Sequence, residues 1–354
     1  MDQRPGVTLD GIGLYFQRDQ TWWEQANAWS DYIKRCQTLL QFGRPEVDIA
    51  VFTGEETPRR SLLPERLVGS LPGIFGEERV KSEQERIANA GQPIRVKPVG
   101  VAHSAGVTGA GEWIDALRGY TYDSFNRDAL LNYSAVKDGK LIFHGGMEYK
   151  IVIFPTPYAL SPHGEYMSEE VALKIREMQE QGVIVLLGEK PSRIPSFHDK
   201  SNATEKMQEL ANKIWSAPDE YLLPYNEPDF NRFGVEKDVD LQGEKEIAWT
   251  HRTGEGIDIY FISNQKEEQR NLDISFRSAG KQPEVWDPVT GEIKEIATWK
   301  SENGRTDIHL ELFPNQSLFV VFRNPASVKQ ADNTIVTRTT ELKTGEWDIV
   351  VEQD

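Results

Sequence analysis

The sequence predicts an α/β plus all-β protein, in which a domain with a parallel sheet is followed by an antiparallel β-sandwich. Between residues 44 and 215, apolar β-branched runs alternate with amphipathic stretches. This rhythm is typical of a parallel sheet with helices on both faces. Between residues 235 and 325, short apolar runs are separated by Gly, Pro and Asn turns, which favours a sandwich. A short strand and a long helix precede both domains.

The first predicted elements are a short strand at residues 11–16 and a long helix from Thr21 to Phe42. Thr21 and Glu24 have the spacing of a capping box, in which each side chain accepts a backbone N–H hydrogen bond. Apolar residues then recur every three or four positions and share one helix face, namely Trp22, Ala26, Trp29, Ile33, Cys36 and Leu40. We expect this face to be exposed or buried in a neighbouring chain, because the preceding strand is too short to cover it.

The middle of the chain has the pattern of alternating buried strands and amphipathic helices. Strands are predicted at 47–52, 141–143, 149–154 and 183–187, and helices at 77–89, 168–182 and 203–215. Asp123 is expected to cap a short helix that contains residues 129–131. We place an α/β domain at residues 44–215. The Pro, Asn and Asp content of residues 216–234 predicts a linker.

The last third of the chain has the pattern of antiparallel strands. A hairpin is predicted from residues 247–252 and 257–263, with further strands at 272–276, 308–312 and 317–322. We place the β-sandwich at residues 235–325. Residues 326–354 are expected to form a polar linker and then one strand at 342–351, after which the sequence offers no strand to pair with it.

Composition excludes several classes of partner. The 354 residues carry a formal net charge of −16, which disfavours nucleic acid and anionic membranes, because both attract clustered positive charge. No apolar run approaches the length of a membrane span or a signal peptide. The single cysteine, Cys36, excludes an intramolecular disulfide and a cysteine-rich metal site. We predict no metal site and no cofactor, and the localisation of this chain stays open.

Three stretches of the chain carry a family resemblance. They are residues 11–23, beginning Gly-Ile-Gly-Leu-Tyr-Phe and ending Thr-Trp-Trp; residues 120–130, 136–139 and 167–171; and residues 251–256, 259–264 and 285–291, the last reading Val-Trp-Asp-Pro-Val-Thr-Gly. In this order they resemble the C-terminal half of the α-L-rhamnosidases of glycoside hydrolase family 106. The resemblance covers nearly the whole chain.

The resemblance implies an architecture. Catalysis in that family belongs to a (β/α)8 barrel, so residues 1–43 would be the last strand and last helix of such a barrel. Residues 44–215 would be the flavodoxin-like or amidotransferase-like domain that follows the barrel in several large glycosidases, including the trimerisation domain of some β-galactosidases. Residues 235–325 would be an accessory β-sandwich, and residues 342–354 the first strand of a truncated jelly roll.

The resemblance also implies a function for the parent protein. The parent would cleave terminal α-L-rhamnosyl linkages in glycans by an inverting route and would be periplasmic or secreted. The two catalytic carboxylates would lie upstream of residue 1, so no catalytic residue is assigned to this chain. We expect the chain to be the non-catalytic C-terminal region, which supports the barrel.

Candidate substrate contacts follow the strand at residues 11–16, which the resemblance makes the last barrel strand, because barrel active sites gather at that end. Arg18, Gln20 and Trp23 are the residues we predict to face the sugar, since aromatic rings stack on sugars and Arg or Gln bonds hydroxyls. Trp22 belongs to the apolar stripe and is expected to pack under the helix. Copies of the chain are expected to associate through the first helix or the α/β domain.

Glu55 and Glu56 follow the predicted strand 47–52, where open α/β sheets bind ligands. We nevertheless interpret them as a solvated loop, because adjacent residues on an extended chain point in opposite directions and Glu is usually exposed. Amidotransferase activity would need a nucleophilic Cys at a strand-to-helix elbow. Cys36 lies in mid-helix, which excludes that activity.

Two alternatives remain open. In the first, the chain is a carbohydrate-binding or scaffold module without enzymatic activity. Trp249, Trp286 and Trp299 would then be exposed and able to stack on sugars. In the second, the α/β domain keeps some enzymatic activity, which we rank lowest because the sequence shows no set of a nucleophile and its base.

Overall fold

The computed structural model describes residues 18, 20–55, 61–88, 114–157, 164–196, 202–242 and 247–332. The strands predicted at 11–16 and 342–351 lie outside these residues. The described chain is mixed α/β, with one parallel sheet and three antiparallel sheets. None of the helices in these ranges combines the length and apolar character that a bilayer crossing requires.

Seven α-helices occur in the described ranges. They are α1 (Ala26–Leu40), α2 (Pro64–Leu67), α3 (Pro72–Phe75), α4 (Glu77–Ala88), α5 (Arg127–Asn132), α6 (Glu169–Glu180) and α7 (Ala203–Ile214). The predictions for α4, α6 and α7 are confirmed to within one or two residues at each end. Helices α6 and α7 have the apolar periodicity of an amphipathic helix, whereas α4 was predicted as a charged, exposed helix with few apolar residues.

The described strands fall into four sheets. The parallel sheet contains β2 (Ile49–Phe52), β3 (Tyr122–Phe125), β7 (Ile151–Phe154) and β8 (Ile184–Leu187), and a small sheet contains β4 (Ser134–Lys137), β5 (Lys140–Phe143) and β6 (Glu148–Tyr149). The two larger sheets contain β1 (Arg44–Pro45), β9 (Val239–Leu241), β10 (Ala248–Gly254), β11 (Ile257–Ser263), β12 (Arg270–Phe276), β13 (Lys281–Trp286), β14 (Ile293–Glu295), β15 (Thr298–Glu302), β16 (Arg305–Leu312), β17 (Ser317–Pro325) and β18 (Gln330–Asp332).

The parallel sheet has the strand order β3-β2-β7-β8. Both of its faces are covered, which explains why β2 and β7 consist entirely of buried apolar residues. Alternate residues enter opposite cores. Ala50 and Phe52 pack with α6 and α7, whereas Ile49 and Val51 pack with α2 and α3. The strand runs that the sequence predicted at β2, β7 and β8 are thus confirmed.

The two larger sheets have the orders β1-β10-β11-β17-β13-β14 and β18-β15-β16-β12-β9. They share one hydrophobic core, to which Tyr260 and Phe322 contribute from the first sheet and Phe276 and Trp299 from the second. We call these two sheets together the antiparallel unit. The predicted hairpin is present as β10 and β11, paired from Ala248–Ser263 to Gly254–Ile257.

Two predicted helix caps are wrong. Thr21 and Glu24 do not form a capping box, because Trp23–Gln25 form a 3-10 turn and α1 begins only at Ala26, with no side-chain cap. Asp123 lies inside β3, and the cap of the next helix, α5, is Asn126, whose side chain accepts a hydrogen bond from the Ala129 N–H at 2.9 Å.

The expected linkers contribute to ordered structure. Tyr225 and Phe230, within the stretch 216–234, are buried in the core beside α3. Strand β18 pairs with β15, so the antiparallel unit continues beyond residue 325. Strand β1 pairs with β10 and therefore belongs to the antiparallel unit, not to the parallel sheet. The apolar side chains of Tyr225 and Phe230 were a signal that these two residues are buried. The polar composition of the surrounding stretch obscured that signal.

Candidate functional site

Helix α1 lies on the outer face of the six-stranded sheet. Cys36 is buried against Ile259 of β11 and against Phe319 and Val321 of β17. The Tyr32 hydroxyl is 2.9 Å from the Ser317 hydroxyl, and burial against this sheet raises the pKa of the Cys36 thiol. The thiol therefore fills a packing position at the interface.

Polar contacts attach the C-terminal half of α1 and the turn after it to the antiparallel unit. Arg35 Nη1 donates to the carbonyls of Pro288 and Val289 at 3.0 and 2.9 Å. After the helix, Arg252 of β10 donates to the carbonyls of Phe42 and Gly43 at 2.6 and 3.0 Å. The position and direction of α1 are thus set by strands that follow it by more than 200 residues.

The predicted substrate contacts surround the start of α1. Arg18 is exposed and the Trp23 side chain is 38% exposed, whereas Gln20 is buried and its carbonyl accepts a hydrogen bond from the Trp23 N–H at 3.1 Å. The structure thus leaves Arg18 and Trp23 accessible and uses Gln20 within the turn. Their roles toward a sugar stay predictions. Trp29, farther along α1, is 54% exposed, as expected. The expectation is wrong for the end of the same face, because Cys36 and Leu40 pack against β11 and β17 of this chain and not against a neighbouring chain.

A cleft lies at the carboxyl edge of the parallel sheet. It has a volume of about 690 Å³ and is lined by the residues that follow β2, β7 and β8, including Thr53–Glu55, Pro155–Pro157 and Gly188. Arg127, which follows β3, and Ser168, which precedes α6, complete this edge. Four strand ends and one helix start therefore surround one cavity.

Glu55 corrects a prediction, because it does not lie in a solvated loop. Its side chain is only 10% exposed and forms an ion pair with Arg127, whose Nε is 3.3 Å from Glu55 Oε2. Glu55 Oε1 accepts a hydrogen bond from the Ser168 N–H at 2.7 Å. Burial raises the pKa of Glu55, although Ser168 and Arg127 oppose this effect. Glu56 lies outside the described residues.

A buried charged cluster connects the antiparallel unit to the parallel sheet. The Asp238 carboxylate contacts His251 Nδ1 at 2.8 Å and the Tyr260 hydroxyl at 3.0 Å. Arg277 joins Asp238 to Asp48, with Nε 3.5 Å from Asp238 and Nη1 2.6 Å from Asp48. Asp48 immediately precedes β2, so this cluster ties the two units together.

The pKa values of the cluster favour its charged form. Burial lowers the pKa of His251, but the carboxylates of Asp238 and Asp258 outweigh burial and raise it to about 9. Burial raises the pKa of Asp238, and the charges of His251 and Arg277 overcome this and hold it below its usual range. We infer that the His251 imidazolium and the Asp238 carboxylate form a structural ion pair at neutral pH.

The tryptophans of the antiparallel unit do not form a stacking platform. Trp249 and Trp299 are buried in its core, and Trp249 Nε1 donates to Asp115 at 3.1 Å. Trp286 is partly buried, with the guanidinium of Arg323 5.0 Å from its ring centroid. The expectation that these three rings are exposed is therefore wrong, and the binding-module alternative loses the feature on which it rested.

Sequence reasoning missed Arg127 and Ser168 as site residues. A signal existed for both, since Arg127 follows a strand and Ser168 precedes Glu169 and Glu170, a typical helix start. What the sequence did not show is that both lie beside Glu55, from which Ser168 is separated by 113 residues. Within the described ranges, no group of three or more His, Cys, Asp or Glu side chains has the arrangement of a metal site.

Comparison with known proteins identifies relatives over most of the chain. The model of an α-L-rhamnosidase family, glycoside hydrolase family 106, matches residues 1–81 and 104–301. A curated protein of Formosa agariphila, named "Putative beta-glucuronidase", is 28% identical over 333 residues, which are 93% of this chain and 24% of that protein.

One solved structure shows the same relationship. A rhamnosidase from Novosphingobium sp. PP1Y is 25% identical, with a TM-score of 0.66, over 93% of this chain and 27% of that one. A β-galactosidase from Bacillus circulans sp. alkalophilus is 10% identical, with a TM-score of 0.37, over 82% of this chain and 44% of that one. The chain spans about a quarter of the length of the first two relatives.

Proposed function

Because this chain belongs to the α-L-rhamnosidase family, glycoside hydrolase family 106, we propose that it is the C-terminal, non-catalytic region of a longer glycoside hydrolase. The whole protein would hydrolyse terminal α-L-rhamnosyl linkages in glycans by an inverting route. The observation that carries this proposal is the family match, which covers most of the chain. A carbohydrate is therefore the proposed substrate.

We further propose the finer architecture that the family resemblance implies. Residues 1–43 would supply the last strand and helix of the (β/α)8 barrel, and residues 44–215 a flavodoxin-like or amidotransferase-like domain. Residues 235–325 would be a β-sandwich, which β18 extends, and the residues after β18 would begin a jelly roll. The strand order β3-β2-β7-β8 and the shared core of the antiparallel unit support the middle two assignments.

The proposed role of the antiparallel unit is to position the last barrel helix. It holds α1 through the packing of Cys36 and the hydrogen bonds of Arg35 and Arg252. The turn that begins α1 carries Arg18 and Trp23, and small displacements of such groups reduce catalysis strongly. The contacts on one face of α1 would thus hold the whole helix in place, and with it the position of Arg18 and Trp23 relative to the substrate.

We propose that Arg18 and Trp23 contact the sugar, Arg18 by donating to hydroxyls and Trp23 by stacking. Gln20 shares this turn, and its burial favours a positioning role there. No residue of this chain is assigned as a catalytic acid or base.

The first test is turnover of a chromogenic α-L-rhamnoside by this chain and by a full-length protein that contains it. We expect activity in the full-length protein and none in the chain. Activity of the chain alone would place the catalytic carboxylates within these residues and overturn the non-catalytic assignment. Inactivity of both proteins would contradict the proposed reaction.

The substrate contacts are tested in the full-length protein. We expect Trp23→Ala and Arg18→Ala each to raise the KM for the rhamnoside about tenfold, the loss of one good contact. The matched control is Lys34→Ala, because Lys34 is an exposed α1 residue that pairs only weakly with Asp31 at 3.1 Å. Unchanged kinetics in both variants would remove these residues from the site.

A second candidate reaction is hydrolysis of β-glucuronides, which is favoured by the name of the relative from Formosa agariphila. A chromogenic β-glucuronide in the same assay separates the two reactions. Turnover of the glucuronide with no turnover of the rhamnoside would replace the first proposal with the second.

A further inference from the structure

The cleft at the carboxyl edge of the parallel sheet lies where the strand order reverses. From β2 the chain goes to β3 on one side and then returns to β7 on the other side of β2. Connections that leave in opposite directions open a crevice at the carboxyl ends of the strands, and open α/β sheets bind ligands there. The volume of about 690 Å³ is in the range of small-molecule sites.

Glu55 offers a buried hydrogen-bond acceptor in this cleft. Its Oε2 atom is buried and accepts no hydrogen bond from the part of the chain that the structure describes. The contacts of Arg127 nearby are ion pairs of 3.3 Å to Glu55 and 3.6 Å to Glu170. The ion pair with Arg127 compensates the charge of Glu55 Oε2, but this buried oxygen still accepts no hydrogen bond within the described ranges. A buried acceptor without a hydrogen bond costs free energy, so a ligand hydroxyl that donates to it is favoured.

The charge of the cleft disfavours an anion. Glu55, Glu169, Glu170 and Glu189 line it, against the single cation Arg127 among the described lining residues. The start of α6 would otherwise attract a phosphate, but the Glu55 carboxylate already accepts from the Ser168 N–H. An uncharged ligand with several hydroxyls avoids the repulsion and can both donate to Glu55 and accept from Arg127.

The remaining lining is partly apolar. Trp215 lines the cleft and donates its indole N–H to the Gly188 carbonyl at 2.8 Å. Its only hydrogen-bond donor is thereby used, and the ring surface is what remains for a ligand. Phe154 and Pro155 line the same cavity. A ring that carries hydroxyls at its edge and C–H groups on its face matches such a mixture.

We propose that this cleft binds an uncharged sugar, at a site separate from the start of α1. Glu55 Oε2 accepts from one hydroxyl of the sugar, Arg127 donates to a neighbouring hydroxyl, and Trp215 contacts the C–H face. The Glu55–Arg127 pair thus recognises two adjacent hydroxyls at once. The site requires no catalytic group and gives the α/β part of the chain a binding function of its own.

The test is equilibrium binding of small probes to the full 354-residue chain by isothermal titration or ligand-observed NMR. The probes are L-rhamnose, D-galactose, D-glucuronate and inorganic phosphate. We expect at least one neutral sugar to bind, and the two anions to bind at least about tenfold more weakly. Preferential binding of either anion, or no binding by any neutral sugar, would overturn the proposal.

Variants locate the binding. Glu55→Gln keeps an oxygen that can accept from Ser168 but loses the charge, and we expect it to weaken sugar binding about tenfold. Arg127→Met removes a donor at the exposed rim and provides a second variant if Glu55→Gln fails to fold. Glu148→Gln is the matched control, because Glu148 pairs with Lys140 at 2.8 Å on the separate small sheet.

Binding that is lost in Trp23→Ala and retained in both cleft variants would move the site to the start of α1 and reject the cleft. The experiment measures no turnover. Its result therefore stands apart from the rhamnoside assay, and either proposal can fail while the other holds.

Discussion

His251 shows how one side chain makes the stability of the molecule depend on pH. It lies in the core with its ring stacked 3.9 Å from that of Tyr260, and its two nitrogens face Asp238 and Asp258. Arg277 and Lys281 pair with the same two carboxylates. A charged imidazole is retained in this core only because the carboxylates of Asp238, just before β9, and Asp258, in β11, surround it.

We predict that the stability supplied by His251 is lost at high pH. Its pKa is about 9 in the folded protein and near 6.5 in an unfolded chain. The charged form is thus favoured by folding. Its contribution, up to about 3 kcal/mol, is complete below pH 6.5 and disappears as the pH rises through 9.

The measurement is the free energy of urea unfolding from pH 6 to pH 10. We expect His251→Gln to be about 3 kcal/mol less stable than the unmodified chain at pH 6 and the difference to shrink by pH 10. His309→Gln is the control, because His309 is exposed beside Asp273, and its effect should stay within about 0.5 kcal/mol. A difference that is constant with pH would contradict the prediction.

The site residues show what single-residue reasoning can reach. The sequence located Glu55 correctly at the end of a predicted strand, because an apolar run followed by a Gly-containing loop is a local signal. The prediction that Glu55 is exposed was wrong, because Ser168 and Arg127, which contact its side chain, are far away in the sequence. Burial of a polar side chain depends on such distant partners and has no local pattern.

At the scale of elements, the docking of α1 depends on the single turn after it. Gly43 has a φ of +53°, and a Cβ added there would lie 2.2 Å from the Thr253 carbonyl oxygen. Strand β1 follows at once and pairs with β10, Arg44 opposite Thr253. The close approach of two backbones therefore requires glycine at this position.

We predict that Gly43→Ala destabilises the chain by about 2–5 kcal/mol, the sum of left-handed strain and overpacking. Gly256→Ala is the matched control, since Gly256 has a φ of +75° but no atom within 4 Å of an added Cβ. It should cost only the strain, about 1–2 kcal/mol. Thermal and urea unfolding of both variants give the comparison, and equal losses would show that the backbone contact is unimportant.

The existence of most elements was predictable, because helix and strand periodicities are local. The residue at which α1 begins was not predictable. The Trp23 N–H bonds the Gln20 carbonyl, and the 3-10 turn that follows leaves Thr21 outside the helix. The same backbone groups can form the first turn of an α-helix or a 3-10 turn, and the two conformations differ by little free energy. Residue spacing alone does not distinguish them.

For the whole molecule, Arg277 is the main charged link between the antiparallel unit and the parallel sheet. It extends from the end of β12 to Asp48 before β2. The guanidinium is mostly buried, so removing it leaves the carboxylates of Asp48 and Asp238 without a shared partner. Breaking such a buried ion pair is strongly destabilising.

We predict that Arg277→Met lowers stability by about 3–5 kcal/mol and broadens the unfolding transition, because the two units then unfold less cooperatively. Arg323→Met is the matched control, since Arg323 pairs with Glu284 inside the antiparallel unit. Calorimetry should show a broader or divided transition for Arg277→Met alone. A sharp transition at an unchanged temperature would refute the linking role.

The order of the main parts along the chain was predictable, but their arrangement in space was not. Parallel and antiparallel character followed from buried runs and short alternating strands. Helix α1 lies on the antiparallel unit, and β1 joins its sheet. Both contacts depend on apolar surfaces that lie far apart in the sequence, because all strands of the parallel sheet come between them. No local pattern encodes which of two apolar faces a helix will cover.

The packing of α1 on strands that come much later in the sequence also has a consequence for synthesis of the protein. The partners of Phe42 and Tyr32 lie 210 and 285 residues later in the chain. At roughly 5–20 residues per second, the ribosome needs on the order of 10–60 s to make them after α1 has emerged. Throughout that interval the part of α1 that packs on β11 and β17 lacks these partners, so chaperone binding and premature aggregation compete with correct assembly until β17 is complete.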